Sequence, residues 1–297
     1  MIFVGKKNST SFFLLISLIL GLALYTALFS SCVYEDLSKC SRMFMLQPRY
    51  LLHTGEGDRF GEAVHHIDVY AFDSLGIYRK MFRDKGAHLK NGYRMPIDLP
   101  EGKWTFLCLG GKVGDYEIGI FKTGIPQQFS PAVSPGITTL SDFRVKAYFE
   151  QKENLEYSFG ELFFGRLDSV EITADNGGTG VVDLMKNTNK IEVRVKGIAD
   201  GSSARITSDN GRFNSENVTP ADAGTIIYVP YYSASQADDT RVFQFDVLRL
   251  YTDGHLFLKL LNPDGTDVIP GFTKDLINAI MSLSLIHISE PTRHAQI

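Results

Sequence analysis

The chain has 297 residues, a net charge of −4, and 44% hydrophobic and 12% aromatic residues. A nucleic-acid-binding surface would need a basic stripe, and none occurs, so nucleic acid is excluded as the expected partner. Without residues 1–31 and 283–297, about 250 residues remain, which exceeds the needs of one small β-sandwich and suits two cores.

The first forty residues read as an export signal. Lys6 and Lys7 supply a positive flank, Phe12 to Phe29 is an uncharged run of apolar or small residues, and the run stops at Ser30-Ser31-Cys32. Two small residues ahead of a cysteine suit the tight pocket of a lipoprotein signal peptidase, which cuts before a Cys whose thiol carries diacylglycerol. Residues 1–31 are therefore expected to be a signal peptide, with Cys32 the lipidated first residue of the mature chain. An apolar run of eighteen residues is also just long enough for an uncleaved membrane span, a reading that leaves Cys32 unexplained. Phe29 stands three places before the cysteine, where Leu is commoner, and Leu28 is displaced by one. Acyl chains such as palmitate hold a soluble domain at a membrane without spanning it, which places the body of the protein outside the cytoplasm.

Residues 32–42 form a lipidated leader that contains Cys40, and Cys108 is the one remaining thiol. In an oxidising compartment Cys40 and Cys108 could pair and tie the leader to the core. The other reading is a buried free Cys108 with an exposed Cys40; the Cα separation decides between them.

Short apolar-alternating runs then recur between Gly, Pro, Asn and Asp, which predicts an all-β chain. Strands are expected over Met43–Leu52, Ile67–Phe72, Gly76–Phe82, Tyr93–Asp98, Trp104–Leu109, Leu162–Gly165, Val181–Met185, Lys190–Lys196, Thr225–Val229, Val242–Tyr251 and His255–Leu261. Trp104, Phe106 and Cys108 share one face and Thr105, Leu107 and Leu109 the other, so this largely apolar strand should be central. Lys190–Lys196 alternates Ile191, Val193 and Val195 with charged residues, the pattern of a half-exposed strand. Lys186-Asn187-Thr188-Asn189 precedes it and predicts a hairpin with Val181–Met185. Gly124–Ser141 reads as a surface loop. The domains are expected over residues 43–155 and 156–282.

Candidate chemistry is sparse. His65 and His66 are adjacent, so on a strand they point to opposite faces and make a poor metal pair. Gly110-Gly111-Lys112-Val113-Gly114 lacks the spacing and Lys-Ser/Thr end of a phosphate loop and reads as a turn. Asp175-Asn176-Gly177-Gly178 lacks the twelfth-position glutamate of a calcium loop and reads as a polar hairpin tip. No nucleophile elbow or zinc-protease motif occurs, so no enzyme, metal, cofactor or small-molecule substrate is expected. Exposed aromatics on an exported protein leave a surface glycan-binding lipoprotein as an alternative.

Leu283 to Arg293 reads LSLIHISEPTR, which resembles the translation of a sequencing-library transposase adapter. Residues 283–297 are therefore set aside as an artefact tail, and the native chain is expected to continue differently after about Ser282.

Several segments together resemble the FimB-type fimbrial anchor lipoproteins of Bacteroidales. They are Cys32-Val33-Tyr34-Glu35-Asp36-Leu37-Ser38-Lys39-Cys40, then Ile67–Asp73 with Gly76, Leu162–Gly165, and Val181 to Ile191. The resemblance implies two tandem transthyretin-like β-sandwich domains and a structural role. Such anchors end a fimbrial polymer at the outer membrane and limit its length, by β-strand complementation with a shaft subunit. Glu35 and Asp36 resemble a surface-export signal, which implies outward display. Asp73-Ser74-Leu75 and Asp168-Ser169-Val170 resemble O-glycosylation acceptors of exported proteins in this phylum, at Ser74 and Ser169. A fimbrial tip or accessory subunit sharing the fold is the other structural reading.

Overall fold

The structure is a computed structural model that describes residues 43–51, 57–122, 128–147, 154–155, 159–173, 177–236, 238–271, 275–277, 280 and 292–296. In chain order the strands are β1 (Phe44–Arg49), β2 (His66–Phe72), β3 (Tyr78–Lys85), β4 (Met95–Ile97), β5 (Gly102–Gly111), β6 (Tyr116–Lys122) and β7 (Gln128–Ser130). There follow β8 (Phe143–Ala147), β9 (Asn154–Leu155), β10 (Leu162–Ile172), β11 (Thr179–Asp183), β12 (Met185–Lys186), β13 (Thr188–Lys196) and β14 (Ser203–Ser208). The last are β15 (Arg212–Asn214), β16 (Ile226–Tyr228), β17 (Tyr232–Ser235), β18 (Thr240–Leu248), β19 (Leu256–Leu261) and β20 (Thr292–Gln296). The described residues are nearly all β, with one short helix at Phe60–Ala63, and every predicted run overlaps an observed strand.

A three-stranded sheet, β11-β1-β4, covers one face of a five-stranded sheet, β12-β10-β5-β2-β3. Between them lie Phe44, Leu46, Ile67, Val69, Trp104, Phe106, Cys108, Phe163 and Val182. β5 is central, hydrogen-bonded to β10 on one side and β2 on the other. Its odd-numbered residues Leu107 and Leu109 enter a second core with Tyr70, Phe72, Phe143 and Val145, under the sheet β15-β8-β6-β7. The expected two-faced burial of this strand is thus observed. Each fully buried large apolar side chain contributes about 1.5–3 kcal/mol, so a strand buried on both faces anchors two layers at once.

That second core continues into a second sandwich, where β17-β18-β13-β20 packs on β19-β14-β16-β9 through Ile191, Val193, Ile206, Tyr228, Phe243, Phe245 and Leu258. Val193 and Ile191 are buried while Arg194 and Lys196 are exposed, as the alternation of β13 requires.

The predicted hairpin between Val181–Met185 and Lys190–Lys196 is not formed. β11 instead runs parallel to β1, and Met185 and Lys186 pair with Phe164 and Phe163 of β10. β13 pairs antiparallel with β18. Beyond the boundary expected at 155/156, β9 pairs with β16 of the second sandwich, Leu162–Lys186 returns to be bonded into the first, and the chain enters the second again at Asn187. The asparagine was read as a turn former, but its polar groups serve the crossover. Its N–H donates to Leu162 O at 2.7 Å and its carbonyl accepts from Arg249 N at 2.8 Å. Its side-chain amide exchanges hydrogen bonds of 2.5 and 3.1 Å with the amide of Asn217, a residue at φ 59°. Asn187→Ala strands a buried amide and is expected to lower stability by about 2 kcal/mol. Urea denaturation reads this directly; an unchanged midpoint would mean the amide pair is not closed in solution.

Within the segment read as a surface loop lies β7, paired with β6. Gly110 and Gly111 end β5, and a single 3-10 turn at Val113–Asp115 leads into β6. Gly111 has φ 90°, and a Cβ there would lie 2.3 Å from Glu161 O, so only glycine fits.

Candidate functional site

For a chain of strands with no catalytic motif, the features able to carry function are sheet edges and exposed termini. β1 is paired on both sides: Met45 to Arg49 with Thr179 to Asp183 of β11, and its first half, Phe44 to Leu46, with Met95 to Ile97 of β4. Arg49 and Asp183 close the parallel pair with a bidentate ion pair of 2.8 and 3.1 Å. The first sandwich therefore keeps its own N-terminal strand in place.

β3 is an edge strand of the five-stranded sheet and is guarded by charge. Arg79, Lys80, Arg83, Asp84 and Lys85 line it, which discourages pairing with another chain. Three of these cations are held by carboxylates: Arg79 by Asp73, Lys80 by Asp98, and Arg83 by Asp68.

β13 is different. Lys190 to Arg194 pair in parallel with Thr292 to Gln296 of β20. Those five residues lie in the tail set aside as an artefact, yet they form a strand. An open edge offers unpaired N–H and C=O groups to any extended segment, whatever its side chains. The C-terminal segment is also clasped upstream. Asp275 accepts hydrogen bonds from the N–H groups of Leu256 at 3.1 Å and Ile277 at 3.0 Å, and from the His255 ring at 2.8 Å. Leu276, Ile277 and Ile280 then enter the second core.

Asp275 holds the His255 imidazole above its ordinary pKa, with the Asp209 carboxylate adding to the effect. Burial opposes ionisation of Asp275, but the Ile277 N–H, the His255 ring and the Leu256 N–H together hold it below the usual carboxylate range. The Asp275 contribution is present above its unfolded value and is lost as pH falls through the lowered one. The His255 contribution is present below its unfolded value and is lost as pH rises through the raised one. The clasp is therefore tightest between about pH 4 and about pH 6.5. Amide exchange at Leu276 and Ile277, corrected for intrinsic rate, is expected to be slower at about pH 5.5 than at about pH 8. His255→Ala should erase the difference.

Cys32, Glu35, Asp36 and Cys40 lie outside the described residues. Cys108 is a free thiol at 0% exposure, and burial pushes its pKa up. Ser74 is exposed in the turn after β2, where Asp73 accepts from the N–H groups of Leu75 and Ile77. Ser169 is exposed at φ 57° in a bulge of β10, where the register to β5 shifts between Leu167 and Val170. His65 is exposed, and His66 Nε2 lies 2.9 Å from Asp68 Oδ1. Asp175 and Asn176 lie outside the described residues. Among the described residues no three His, Cys, Asp or Glu side chains converge as a metal site, and no helix is long and apolar enough to cross a membrane. The His255–Asp275 clasp and the Asn187–Asn217 pair were missed, because partners 20 and 30 residues apart leave no local pattern.

A family model described as fimbrillin-A associated anchor proteins Mfa1 and Mfa2 matches residues 37–293. The minor fimbrium anchoring subunit Mfa2 of Porphyromonas gingivalis is 24% identical over 283 residues, spanning 91% of this chain and 81% of that protein. The solved structure of the fimbrial anchor protein Mfa2 from the same organism superposes with a TM-score of 0.68 at 19% identity, covering 86% of this chain and 88% of that one. A Bacteroides thetaiotaomicron protein described as a candidate polysaccharide-binding protein superposes equally well, with a TM-score of 0.68 at 21% identity over 86% of this chain and 89% of that one. The structural likenesses show a shared fold, and the family match extends from the leader through both sandwiches: the chain belongs to the family of fimbrillin-A associated anchor proteins.

Proposed function

We propose that this protein anchors a fimbrial polymer to the outer membrane, held there by acyl chains on Cys32, and limits the length of that polymer by strand complementation with a shaft subunit. The observation that carries the reading is the occupied position of β1 in the first sandwich. β1 is bonded on both sides by its own chain, so the place between β11 and β4 is not open to an incoming strand. The β13 edge is also filled by its own chain, through residues 292–296 of the tail set aside above, so it carries no part of this reading. A subunit that offers a strand but accepts none at its N-terminal sandwich stops growth where it stands. Backbone hydrogen bonds supply the strength of such a joint and alternate side chains its specificity.

The test is negative-stain electron microscopy of cells lacking the gene beside cells complemented with the native full-length gene. Long or shed filaments that return to normal on complementation support the anchor role. Normal, attached filaments overturn it in favour of an accessory subunit or a glycan-binding lipoprotein. Glu35 and Asp36 follow the lipidated cysteine, and we assign them to surface export. A protein that survives protease shaving of intact cells would contradict outward display.

A further inference from the structure

The two most exposed large apolar side chains among the described residues are Leu75 at 80% and Ile137 at 74%. Both sit at one end of the first sandwich. Leu75 is at the tip of the turn joining β2 to β3, with its N–H bonded to Asp73. Ile137 is in the turn Ser134–Ile137, tied alongside: Gly136 N donates to Tyr78 O at 2.8 Å and Leu140 N to Gly76 O at 2.7 Å.

The chain enters the sandwich at that same end. Phe72 pairs with Thr105 and Ala71 with Phe106, so the β2–β3 turn lies beyond the Thr105 end of β5. Phe44, the first residue of β1, stacks on Phe106 at 6.0 Å. At the other end of β1, Tyr50 packs edge-on against Phe163, which pairs with Gly110. Met43, 46% exposed, therefore leaves the fold at the end of the first sandwich that carries the Leu75 turn. Lys80 Nζ bonds Asp98 O at 3.0 Å, which brings the end of β4 to the same place. The crossover to the second sandwich departs from the opposite end, where Asn187 N bonds Leu162 O and Leu162 pairs with Gly111.

We propose that this end of the first sandwich rests on the lipid surface, with Leu75 and Ile137 entering the headgroup–acyl boundary as a second, non-covalent attachment. The inference rests on the reading of Cys32 as lipidated. Ten residues separate Cys32 from Met43, a tether of at most about 35 Å when fully extended. Because the tether leaves from this end, these turns have a shorter reach to the bilayer than the opposite end of the sandwich. A protein partner would need a contiguous face of about 800 Å² per side, whereas these are aliphatic side chains on convex turn tips, the shape that enters an interface. Three of the carboxylates around them are paired locally, Asp73 with Arg79, Asp98 with Lys80 and Asp168 with Arg166.

The test uses the full acylated protein in vesicles of phosphatidylethanolamine and phosphatidylglycerol. Leu75→Cys, Ile137→Cys and, as a control in the second sandwich, Asp253→Cys are each made with Cys40→Ser and labelled with an environment-sensitive dye. Cys108 is buried and should not react. Lipid-borne nitroxide is expected to quench the labels at 75 and 137 by roughly twofold and to leave the label at 253 untouched. Flotation with no quenching at 75 and 137 overturns this inference alone. An unacylated mass together with failure to float overturns the lipid reading and this inference with it. Protection of the two labels only when filament subunits are added would assign the tips to a protein contact and refute membrane seating. A glycan on Ser74 would also refute it, because a sugar beside Leu75 cannot enter the boundary.

Discussion

Arg83→Ala is expected to destabilise the protein by about 3–5 kcal/mol, more than Asp68→Ala at the same site. Asp68 is fully buried on β2, directly opposite Arg83 on β3. Its two oxygens accept Arg83 Nε at 2.7 Å and Nη2 at 2.6 Å, and Oδ1 also meets His66 Nε2 at 2.9 Å. The partners differ in their access to water: the Arg83 side chain is 51% exposed and that of Asp68 0%. Removing the carboxylate leaves a guanidinium that water can solvate. Removing the guanidinium leaves a carboxylate in the core with one imidazole for company. The asymmetry in exposure should therefore appear as an asymmetry in stability, measured by urea denaturation of both single variants and the double. Equal losses would mean that Asp68 is hydrated in solution. The pair also marks how the edge strand β3 is secured, since its charged residues cannot contribute apolar burial in proportion.

The sequence made the fold class legible because so many strands alternate cleanly. β5 announced both of its environments: Trp104, Phe106 and Cys108 against Leu107 and Leu109 predicted two apolar faces, and both are buried. Strands with weak alternation were missed. In β14 only Ala204 and Ile206 are apolar, and β6 carries Gly119 at its centre, where a Cβ would lie 2.0 Å from Ser130 O. That glycine exists for the close approach of β6 to Ser130 and Pro131, which a local reading cannot foresee. The hairpin at Asn187 failed for a related reason. An asparagine between two strands favours a tight turn in general, but here β11 found a parallel partner in β1, about 135 residues earlier. Parallel pairing over such a span leaves no local mark. The clasp at Asp275 is equally silent, since its partners are chosen by the docking of Leu276, Ile277 and Ile280 into the core.

Cys32→Ala is expected to have the largest functional effect while leaving the fold intact. If Cys32 carries the lipid, the variant loses acyl labelling, its precursor is no longer cut by lipoprotein signal peptidase, and filaments are shed rather than held. The energetic reason is steep. Each buried CH₂ contributes about 0.8 kcal/mol, one acyl chain binds a membrane only marginally, and several make attachment durable. Interfacial contact by Leu75 and Ile137 is too small to replace that, so it can orient the protein without retaining it. An uncleaved apolar span over residues 12–29 predicts the opposite: the variant would stay in the membrane fraction with its filaments attached. Cys108→Ala separates the effects. Its thiol is free and enclosed in the first core, so that variant should lose some packing energy but keep both acylation and attached filaments. Intact mass, membrane fractionation and filament counts on the two variants therefore distinguish a lipid anchor from a spanning one, and loss of anchoring from loss of folding.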